Sequence, residues 1–294
     1  MGTSKRFAGP SSGLVPSWVD DPVPPVRPRP TEVPPVLPDT PDTPSVPTPQ
    51  PQSPENPPPH RPLLPDTSGA GEFTAARRNF SRFARTGSRT ALGRALSNYV
   101  RKGTGGGRRA AHRMGSSRAT AAGLLAVVRD FQRFGPDETL RRLNLSGLSG
   151  APAADVFVAI LEFVCPPGGA VDEAIARQAM LESVGDMAEA SVGSFDLLTI
   201  DQMRDFFLDF VARSIEGQVM AELGNRGMVL SDDVSAVEHL QAELHDYVTG
   251  ATRGQLLGRL DNLDRMSDPD IQSVVNQIYE TAFDLVAAAG EDAA

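Results

Sequence analysis

Apolar residues recur every three to four positions through most of the chain after residue 130, which is the spacing of one face of an α-helix. The clearest example starts at Thr199, which forms a capping-box pattern with Gln202. Its apolar stripe consists of Ile200, Met203, Phe206, Phe207, Phe210, Val211, Ile215 and Val219. No stretch alternates convincingly between apolar and polar residues, as a half-buried strand would. The pattern predicts an all-α fold, a helical bundle of about six to eight helices.

Start and stop signals give the other helices approximate boundaries. Pro136 is expected at the first position of one helix, and Ser88 is expected to cap another. The remaining predicted helices cover about 116–134, 153–164, 170–184, 231–248 with Ser231 as cap, 252–263, and a last helix capped by Asp268 and Pro269. The "GTGGG" at 103–107 follows no strand and precedes no lysine-serine pair. It is expected to be a flexible joint rather than a phosphate-binding loop.

The pattern changes before residue 73, where large apolar side chains are sparse and proline is frequent. Only five of the 26 prolines in the chain lie after Pro65. A segment of this composition buries too little apolar surface to offset the entropy lost on ordering. Residues 1–72 are therefore predicted to be a long disordered Pro-rich N-terminal arm, partly in polyproline-II conformation. The rest of the chain is long enough for one sizeable core.

Charge divides the rest of the chain into two regions. Residues 73–129 contain 13 Arg and Lys and no Asp or Glu, whereas residues 130–294 contain 10 basic and 29 acidic residues. The net charge of −9 for the whole chain conceals this contrast. We therefore divide the sequence into the arm at 1–72, a basic Arg-rich helical and linker region at 73–129, and an acidic all-α domain at 130–294.

The basic region is a candidate contact surface. Arginines without neighbouring acids, interleaved with Phe80, Phe83 and Tyr99, are typical of nucleic-acid binding. The same charge could instead dock on the acidic half of this chain or on an acidic partner. The candidate contact residues are Arg77, Arg78, Arg82, Arg85, Arg101, Lys102, Arg108, Arg109 and Arg113. Both interpretations remain open at the level of sequence.

The sequence contains no clear catalytic or metal-binding pattern. Of the four histidines, His239 and His245 share a predicted helix, but their six-residue spacing places them on different faces, which are expected to be solvated. Cys165 lies in the apolar run "VFVAILEFVC" and is expected to be a small buried side chain. Serine-nucleophile, Walker and kinase motifs are not found. We therefore expect a non-catalytic protein without a metal or a cofactor.

The sequence also gives no sign of membrane attachment. It has no run of 18 apolar residues and no secretion leader. Gly2 follows Met1, but position six is Arg6, where N-myristoylation requires Ser or Thr. A soluble cytoplasmic protein without a membrane contact is expected.

Several stretches resemble the QatB family of bacterial Qat (QatABCD) anti-phage systems. These are "MGTSKRFAGP", "LVPSWVDD" and "ALGRALSNYVRKGTGGGRRAAHRMG", followed by an acidic helical half. The resemblance is most specific at 1–5, 9–10 and 14–20, fair across 91–118 and generic beyond. It implies three partners, a KAP-type ATPase (QatA), a QueC-like enzyme (QatC) and a TatD-type nuclease (QatD). It also implies that the QueC-like enzyme attaches a 7-deazaguanine group to the N-terminal glycine.

The first residues suit that chemistry. Removal of Met1 is expected because Gly2 is small, and α-amines have a pKa of about 7.7–8.0 against roughly 10.4 for a lysine amine. A usable fraction of such an α-amine is neutral and nucleophilic at pH 7, so it can replace the ammonia that QueC-like enzymes use. The resemblance thus implies modification at Gly2. The residues then expected to contact the modifying enzyme are Thr3, Ser4, Lys5 and Trp18.

Two functions of different classes follow. The first is a non-catalytic adaptor and modification substrate, which presents Gly2 to the QueC-like enzyme while the helical body binds the ATPase. The alternative is a nucleic-acid-binding protein that acts through residues 73–129.

Overall fold

Ten α-helices make up most of the described part of the computed structural model, which covers residues 73–165, 170–224 and 234–292. In chain order they are α1 (Thr74–Thr86), α2 (Arg89–Asn98), α3 (Gly107–His112), α4 (Gly115–Phe134), α5 (Pro136–Arg142), α6 (Ala153–Val164), α7 (Val171–Glu189), α8 (Ile200–Gly224), α9 (Val234–Leu256) and α10 (Asp268–Asp292). A π-helical turn, Tyr99–Thr104, joins α2 to α3. No strand occurs in these ranges, where one isolated antiparallel bridge links Pro152 and Ser194. The predicted all-α fold is confirmed.

Four helices form the centre of the bundle. Helices α4 and α9 each pack against both α8 and α10, the two longest helices. Around this centre, α2 and α3 pack against α10, while α6 and α7 pack together on the other flank, with α7 against α8. Where the chain is described, none of its helices combines the length and apolar character that a membrane span requires.

One hydrophobic core runs through the described residues and draws side chains from both sides of residue 130. Tyr99 from the basic region lies 6.4 Å from Phe283 of α10, measured between ring centres. Phe131 and Phe195 meet edge to face at 5.2 Å. Burial of one such side chain stabilises a fold by about 1.5–3 kcal/mol. The basic region is therefore part of the same core as the acidic helices.

Several predicted helix starts are confirmed. Ser88 caps α2, since its side chain accepts a hydrogen bond from the Ala91 amide. The Thr199 hydroxyl accepts from the Gln202 amide at 3.2 Å, and the Gln202 side chain accepts from the Thr199 amide at 2.8 Å, which completes the capping box. Pro136 is the first residue of α5, and α6 has the predicted bounds. Cys165 is buried as expected.

Two predicted boundaries are wrong. Thr252 does not start a helix, because its buried hydroxyl donates to the Val248 carbonyl at 2.8 Å inside α9, which continues to Leu256. The last helix is capped one residue earlier than predicted, since the amide and hydroxyl of Ser267 both donate to Asp270. The predicted cap Ser231 and the predicted arm at 1–72 lie outside the described residues.

The glycine-rich segment at 103–107 is not the flexible joint that was predicted. A Cβ on Gly103 would lie 2.5 Å from the Phe73 ring, so this position has no room for a side chain. The Gly107 amide donates to Asp284 of α10 at 3.2 Å. Gly105 has a φ of 81°, in the left-handed region that favours glycine. These glycines form a tight turn that holds α3 against α10.

Candidate functional site

The residues expected to meet the modifying enzyme all precede the described part of the chain. They are Gly2, Thr3, Ser4, Lys5 and Trp18. Their role stays a prediction.

Arginines of the basic region pair with acidic residues of α8, α9 and α10. The pairs are Arg89–Glu243, Arg101–Glu291, Arg108–Glu280, Arg113–Glu222 and Arg129–Asp268, with N–O distances of 2.9, 2.6, 3.9, 2.9 and 2.6 Å. Each exposed pair contributes only about 0–1 kcal/mol. The location of these pairs matters more than their individual energies, because every one of them joins the region before residue 130 to the acidic helices after it.

Arg77 is engaged in a different way. It donates to the main-chain oxygen of Glu222 at 3.3 Å, and its guanidinium carbon lies 5.4 Å from the centre of the Phe73 ring. Arg113 approaches the same ring at 5.9 Å. Of the nine predicted contact residues, four thus contact residues of α8 or α10.

The other five predicted contact residues face solvent. Arg78, Arg82 and Arg85 are spaced by four and three residues on α1, so they share one exposed face of that helix. The Arg85 side chain donates to the Ser81 carbonyl at 3.2 Å. Lys102 and Arg109 are exposed near the glycine turn. Within the described ranges these five residues make no ion pair, so α1 presents a stripe of three unneutralised arginines, which we call the α1 stripe.

A more enclosed group of charged side chains lies where α7, α8 and α9 meet. His245 of α9 stands between two carboxylates of α8. Its Nε2 atom is 3.3 Å from Asp209 Oδ1, and its Nδ1 atom is 3.5 Å from Glu216 Oε2. The Glu216 side chain is only 6% exposed. Charged groups at this depth are stable only when they are paired.

Arg213 and Ser183 complete this network. The Arg213 guanidinium lies 2.9 Å from Asp209, 3.5 Å from Glu182 of α7, and also contacts Asp186 of α7. The Ser183 hydroxyl donates to Asp209 Oδ2 at 2.6 Å. Asp209 therefore connects α7, α8 and α9 through a single carboxylate. We call these residues, together with Glu216 and His245, the His245 network.

The network shifts the pKa of its members. Hydrogen bonds to Asp209 and then Glu216 raise the pKa of His245 to about 9, against the opposing effect of burial. Burial acts to raise the pKa of Asp209, but hydrogen bonds from His245 and Ser183 and the charge of Arg213 outweigh it and lower the value to about 2. Burial raises the pKa of Glu216. At neutral pH the network thus holds an imidazolium ion between carboxylates.

This geometry does not match a catalytic triad. The Ser183 hydroxyl is bonded to Asp209 and not to the imidazole, so no base activates it. His245 is protonated at neutral pH and cannot accept a proton there. The network thus holds paired charges and could recognise a charged group, but it does not provide an activated nucleophile.

The sequence held a partial signal for this network. Asp209, Arg213 and Glu216 are spaced by four and three residues, so they share one face of α8, on the side away from its apolar stripe, where they can pair with one another. The expectation of a solvated face is correct for His239, which is exposed, and wrong for His245, whose side chain is 20% exposed. The carboxylates that enclose His245 come from another helix, so the local pattern around it could not reveal them.

A cleft of about 290 Å³ opens beside the network. Its charged lining residues are Glu182, Arg213, Glu216, Glu238, His245 and Asp246. A second cavity of about 340 Å³ adjoins it between α7 and α8 and shares Glu182, Arg213 and Glu216 with it. Its apolar lining residues are Val171, Ala174, Ile175, Ala179 and Met220. We call the first cavity the acidic cleft and the second the apolar groove.

The fold and these contacts define an all-α protein whose basic N-terminal helices are tied by ion pairs to acidic C-terminal helices. A protein-family model described as Qat anti-phage system associated protein QatB matches residues 105–286, more than half of the chain. The chain belongs to the QatB family, which confirms the resemblance noted in the sequence and gives the protein a role in the Qat anti-phage system. Neither the curated proteins nor the solved structures gave a match.

The matched range runs from the glycine turn to α10. It includes the His245 network, the acidic cleft and the apolar groove, and it excludes α1 with its stripe of arginines. The family assignment therefore rests on the helical body.

Proposed function

We propose that this chain is a non-catalytic adaptor and modification substrate of the Qat system. Its helical body binds the KAP-type ATPase, and the Gly2 amine receives a 7-deazaguanine group from the QueC-like enzyme. Membership of the QatB family supports a place in this system. The observation that carries the adaptor role is the single hydrophobic core, which together with the ion pairs around it unites the basic and acidic helices into one preassembled body to which partners can bind.

Exposed apolar side chains on α6 support a protein partner for this body. Val158 and Phe163 are 43% and 62% exposed, respectively. Aromatic side chains such as Phe163 are enriched in protein interfaces, so Phe163 is the residue to test. Phe163→Ser should reduce co-purification of the KAP-type ATPase with this chain. Leu197→Ser is the comparison, since Leu197 is 78% exposed on a different segment. Loss of co-purification in Leu197→Ser but not in Phe163→Ser would contradict a partner contact on α6.

The modification is proposed from the first residues of the sequence. Once Met1 is removed, the Gly2 amine is unhindered and can attack an ATP-activated 7-deazaguanine carboxylate. The product is an amide between that carboxylate and Gly2, with the activating group leaving and the amine losing a proton. Thr3, Ser4, Lys5 and Trp18 are the residues proposed to hold the substrate in the enzyme.

Intact-protein mass spectrometry after co-expression with the QueC-like enzyme tests the modification. The expected result is loss of Met1 and addition of one 7-deazaguanine group to the N-terminal peptide. Gly2→Leu should keep Met1 and stay unmodified, because leucine blocks removal of the initiator methionine. In Gly2→Ala, Met1 is still removed and a primary α-amine is still exposed. This variant therefore shows whether an exposed amine is sufficient or whether glycine itself is required. An unmodified Gly2 beside an active enzyme would rule out the proposed modification.

The α1 stripe favours nucleic-acid binding through residues 73–129 as a second function. Combined replacement of Arg78, Arg82 and Arg85 by Ala should weaken retention on DNA and reduce the slope of log affinity against log salt by roughly three. The control replaces Arg89, Arg101 and Arg113, whose charges are already paired, and should retain DNA binding. Equal behaviour of the two triple variants would contradict this function.

A further inference from the structure

The α1 stripe presents positive charge to solvent without an aromatic ring beside it. The aromatic side chains of residues 73–129 are all buried, and each is at most 7% exposed. They are Phe73, Phe80, Phe83 and Tyr99. Tyr99, for example, packs against Phe73 and Phe283, with ring centres 5.7 and 6.4 Å away. The basic region therefore offers guanidinium groups to a ligand and no ring on which a base can stack.

Single-stranded nucleic acid is a poor match for such a surface. Proteins that bind single strands without sequence preference stack successive bases on aromatic side chains, and this stacking supplies much of their affinity. Within the described ranges, the exposed phenylalanine rings are those of Phe134 and Phe163, at 38% and 62%. They lie on α4 and α6, whereas α1 packs against α2, α8 and the π-helical turn. Neither ring extends the α1 stripe.

Duplex DNA presents phosphates twice as densely as one of its strands does. The two strands together place one negative charge per about 1.7 Å of helix axis, against about 3.4 Å for one strand. Arg78 and Arg85 lie seven residues apart, which is about 10 Å along the axis of α1. Over that length the duplex carries roughly six charges. Because the affinity of this surface comes from charge alone, the denser polyanion should bind more tightly.

Two further exposed cations lie near the start of α1. Lys102 and Arg109 flank the glycine turn, and neither makes an ion pair within the described residues. The turn packs against the residue that precedes α1, since a Cβ placed on Gly103 would lie 2.5 Å from the Phe73 ring. Together with the α1 stripe, this surface offers three to five positive charges, which sets the number of phosphates that it can contact.

We propose that the α1 stripe binds the phosphate backbone of double-stranded DNA, independently of base sequence. This inference rests on the nucleic-acid function proposed above and specifies its ligand. Arg78, Arg82 and Arg85 donate N–H groups to phosphate oxygens, and the aromatic rings of the region stay in the core. Double-stranded RNA is a worse match, because the domains that recognise it contact about 16 base pairs, far more than a stripe of about 10 Å can cover.

Fluorescence anisotropy with the full chain tests the proposal. The labelled probes are a DNA duplex of about 20 base pairs, long enough for the roughly 16 that an RNA-binding domain contacts, one strand of it, the RNA duplex of the same sequence, and a DNA duplex of different sequence. The slope of log affinity against log salt is about −0.9 per phosphate for duplex DNA and −0.7 for a single strand, so their affinities diverge as salt is lowered from about 1 M. With three to five contacts, the DNA duplex should bind about 6–20-fold more tightly than its single strand at about 50 mM salt. The two DNA duplexes should bind within about twofold of each other, and the RNA duplex more weakly than either.

Two triple variants of the α1 stripe show whether its charge is responsible. Replacement of Arg78, Arg82 and Arg85 by Lys keeps all three charges and should keep the preference for duplex DNA. Replacement of the same residues by Ala leaves two exposed cations, so the preference should fall to about threefold or less. All three side chains are exposed, so neither variant should disturb the core. An undiminished preference in the Ala variant would place the contact elsewhere and overturn the proposal.

Outcomes with the unaltered chain separate this inference from the function on which it rests. Equal or tighter binding of the single strand would mean that bases are contacted, and tighter binding of the RNA duplex would mean that A-form geometry is preferred. Discrimination of more than about tenfold between the two DNA duplexes would mean that base edges are read. Each of these results overturns the inference and leaves nucleic-acid binding in place. No binding of any probe would contradict both.

Discussion

At neutral pH the imidazolium of His245 lies between Asp209 and Glu216, and its charge makes two carboxylates of α8 compatible with burial. Arg213, also on α8, pairs with Asp209 and with Glu182 and Asp186 of α7. Each member is tolerated inside the protein because the others neutralise it. If His245 lost its proton, the negative charges of Asp209 and Glu216 would be less completely neutralised.

The stability of the protein should therefore fall as His245 loses its proton. Because the pKa of His245 is raised from 6.5 to about 9 on folding, its contribution is complete below pH 6.5 and is lost as the pH rises through about 9. The expected loss is on the order of 2 kcal/mol between pH 6 and pH 9.5. Urea unfolding at a series of pH values measures it.

Two histidine variants control this experiment. His245→Gln should be less stable at pH 6 and should lose most of the decline above pH 6.5. His239→Gln should keep the wild-type profile, because His239 is exposed on the same helix. The same pH profile in both variants would show that His245 is not the responsible group.

Helices α2 and α10 cross at an unusually close contact between two glycines. A Cβ placed on Gly290 would lie 2.1 Å from the main-chain oxygen of Gly93, and one on Gly93 would lie 3.0 Å from the Gly290 Cα. Main-chain atoms of a packed helix cannot move aside as a flexible side chain can. The absence of side chains at both positions is what allows these helices to touch.

Gly290→Ala should push α10 away from α2 and destabilise the fold by about 1–3 kcal/mol. Gly185→Ala is the matched control, because Gly185 is exposed in α7 and a methyl group added there would have no atom within 4 Å. That change should be neutral or stabilise the helix by roughly 0.5–1 kcal/mol. Chemical denaturation of both variants provides the comparison. A Gly290→Ala variant as stable as the wild type would show that the crossing can open without cost.

Across the molecule, the division of charge at residue 130 does not coincide with a division of the core. Helices α2, α3 and α4 all pack against α10, and α4 also packs against α8. Tyr99 and Phe283 are both fully buried where these parts meet. The ion pairs that join the two parts lie around this shared apolar surface, which supplies most of the stabilisation.

A fragment of residues 130–294 should consequently fail to fold cooperatively on its own. Without residues 73–129, the faces of α8 and α10 that contact α2, α3 and α4 would be exposed to water. A fragment of residues 73–294 should unfold in one cooperative transition. Thermal unfolding followed by circular dichroism distinguishes them. A sharp transition in the shorter fragment would mean that the acidic part is an independent domain.

The class of fold and much of its local detail could be predicted from the sequence alone. Helix periodicity and capping depend on residues within a few positions of one another, so the Thr199 capping box, the Ser88 cap and the bounds of α6 were predictable. The resemblance to the QatB family was equally readable, and the family match over 105–286 confirms it through the helical body. The division of charge at residue 130 also required no structure.

Which charges meet and which remain free depends on the tertiary structure. Arg101 pairs with Glu291 across 190 positions, while Arg78 faces solvent, although both belong to the same basic region. The glycines at 103–107 looked like a joint because their local composition is flexible, and they are fixed by contacts with Phe73 and Asp284. His245 acquires its raised pKa in the same way, from carboxylates on another helix. Such contacts depend on how the helices pack against one another. The periodicity of a sequence does not show which residues far apart along the chain come into contact.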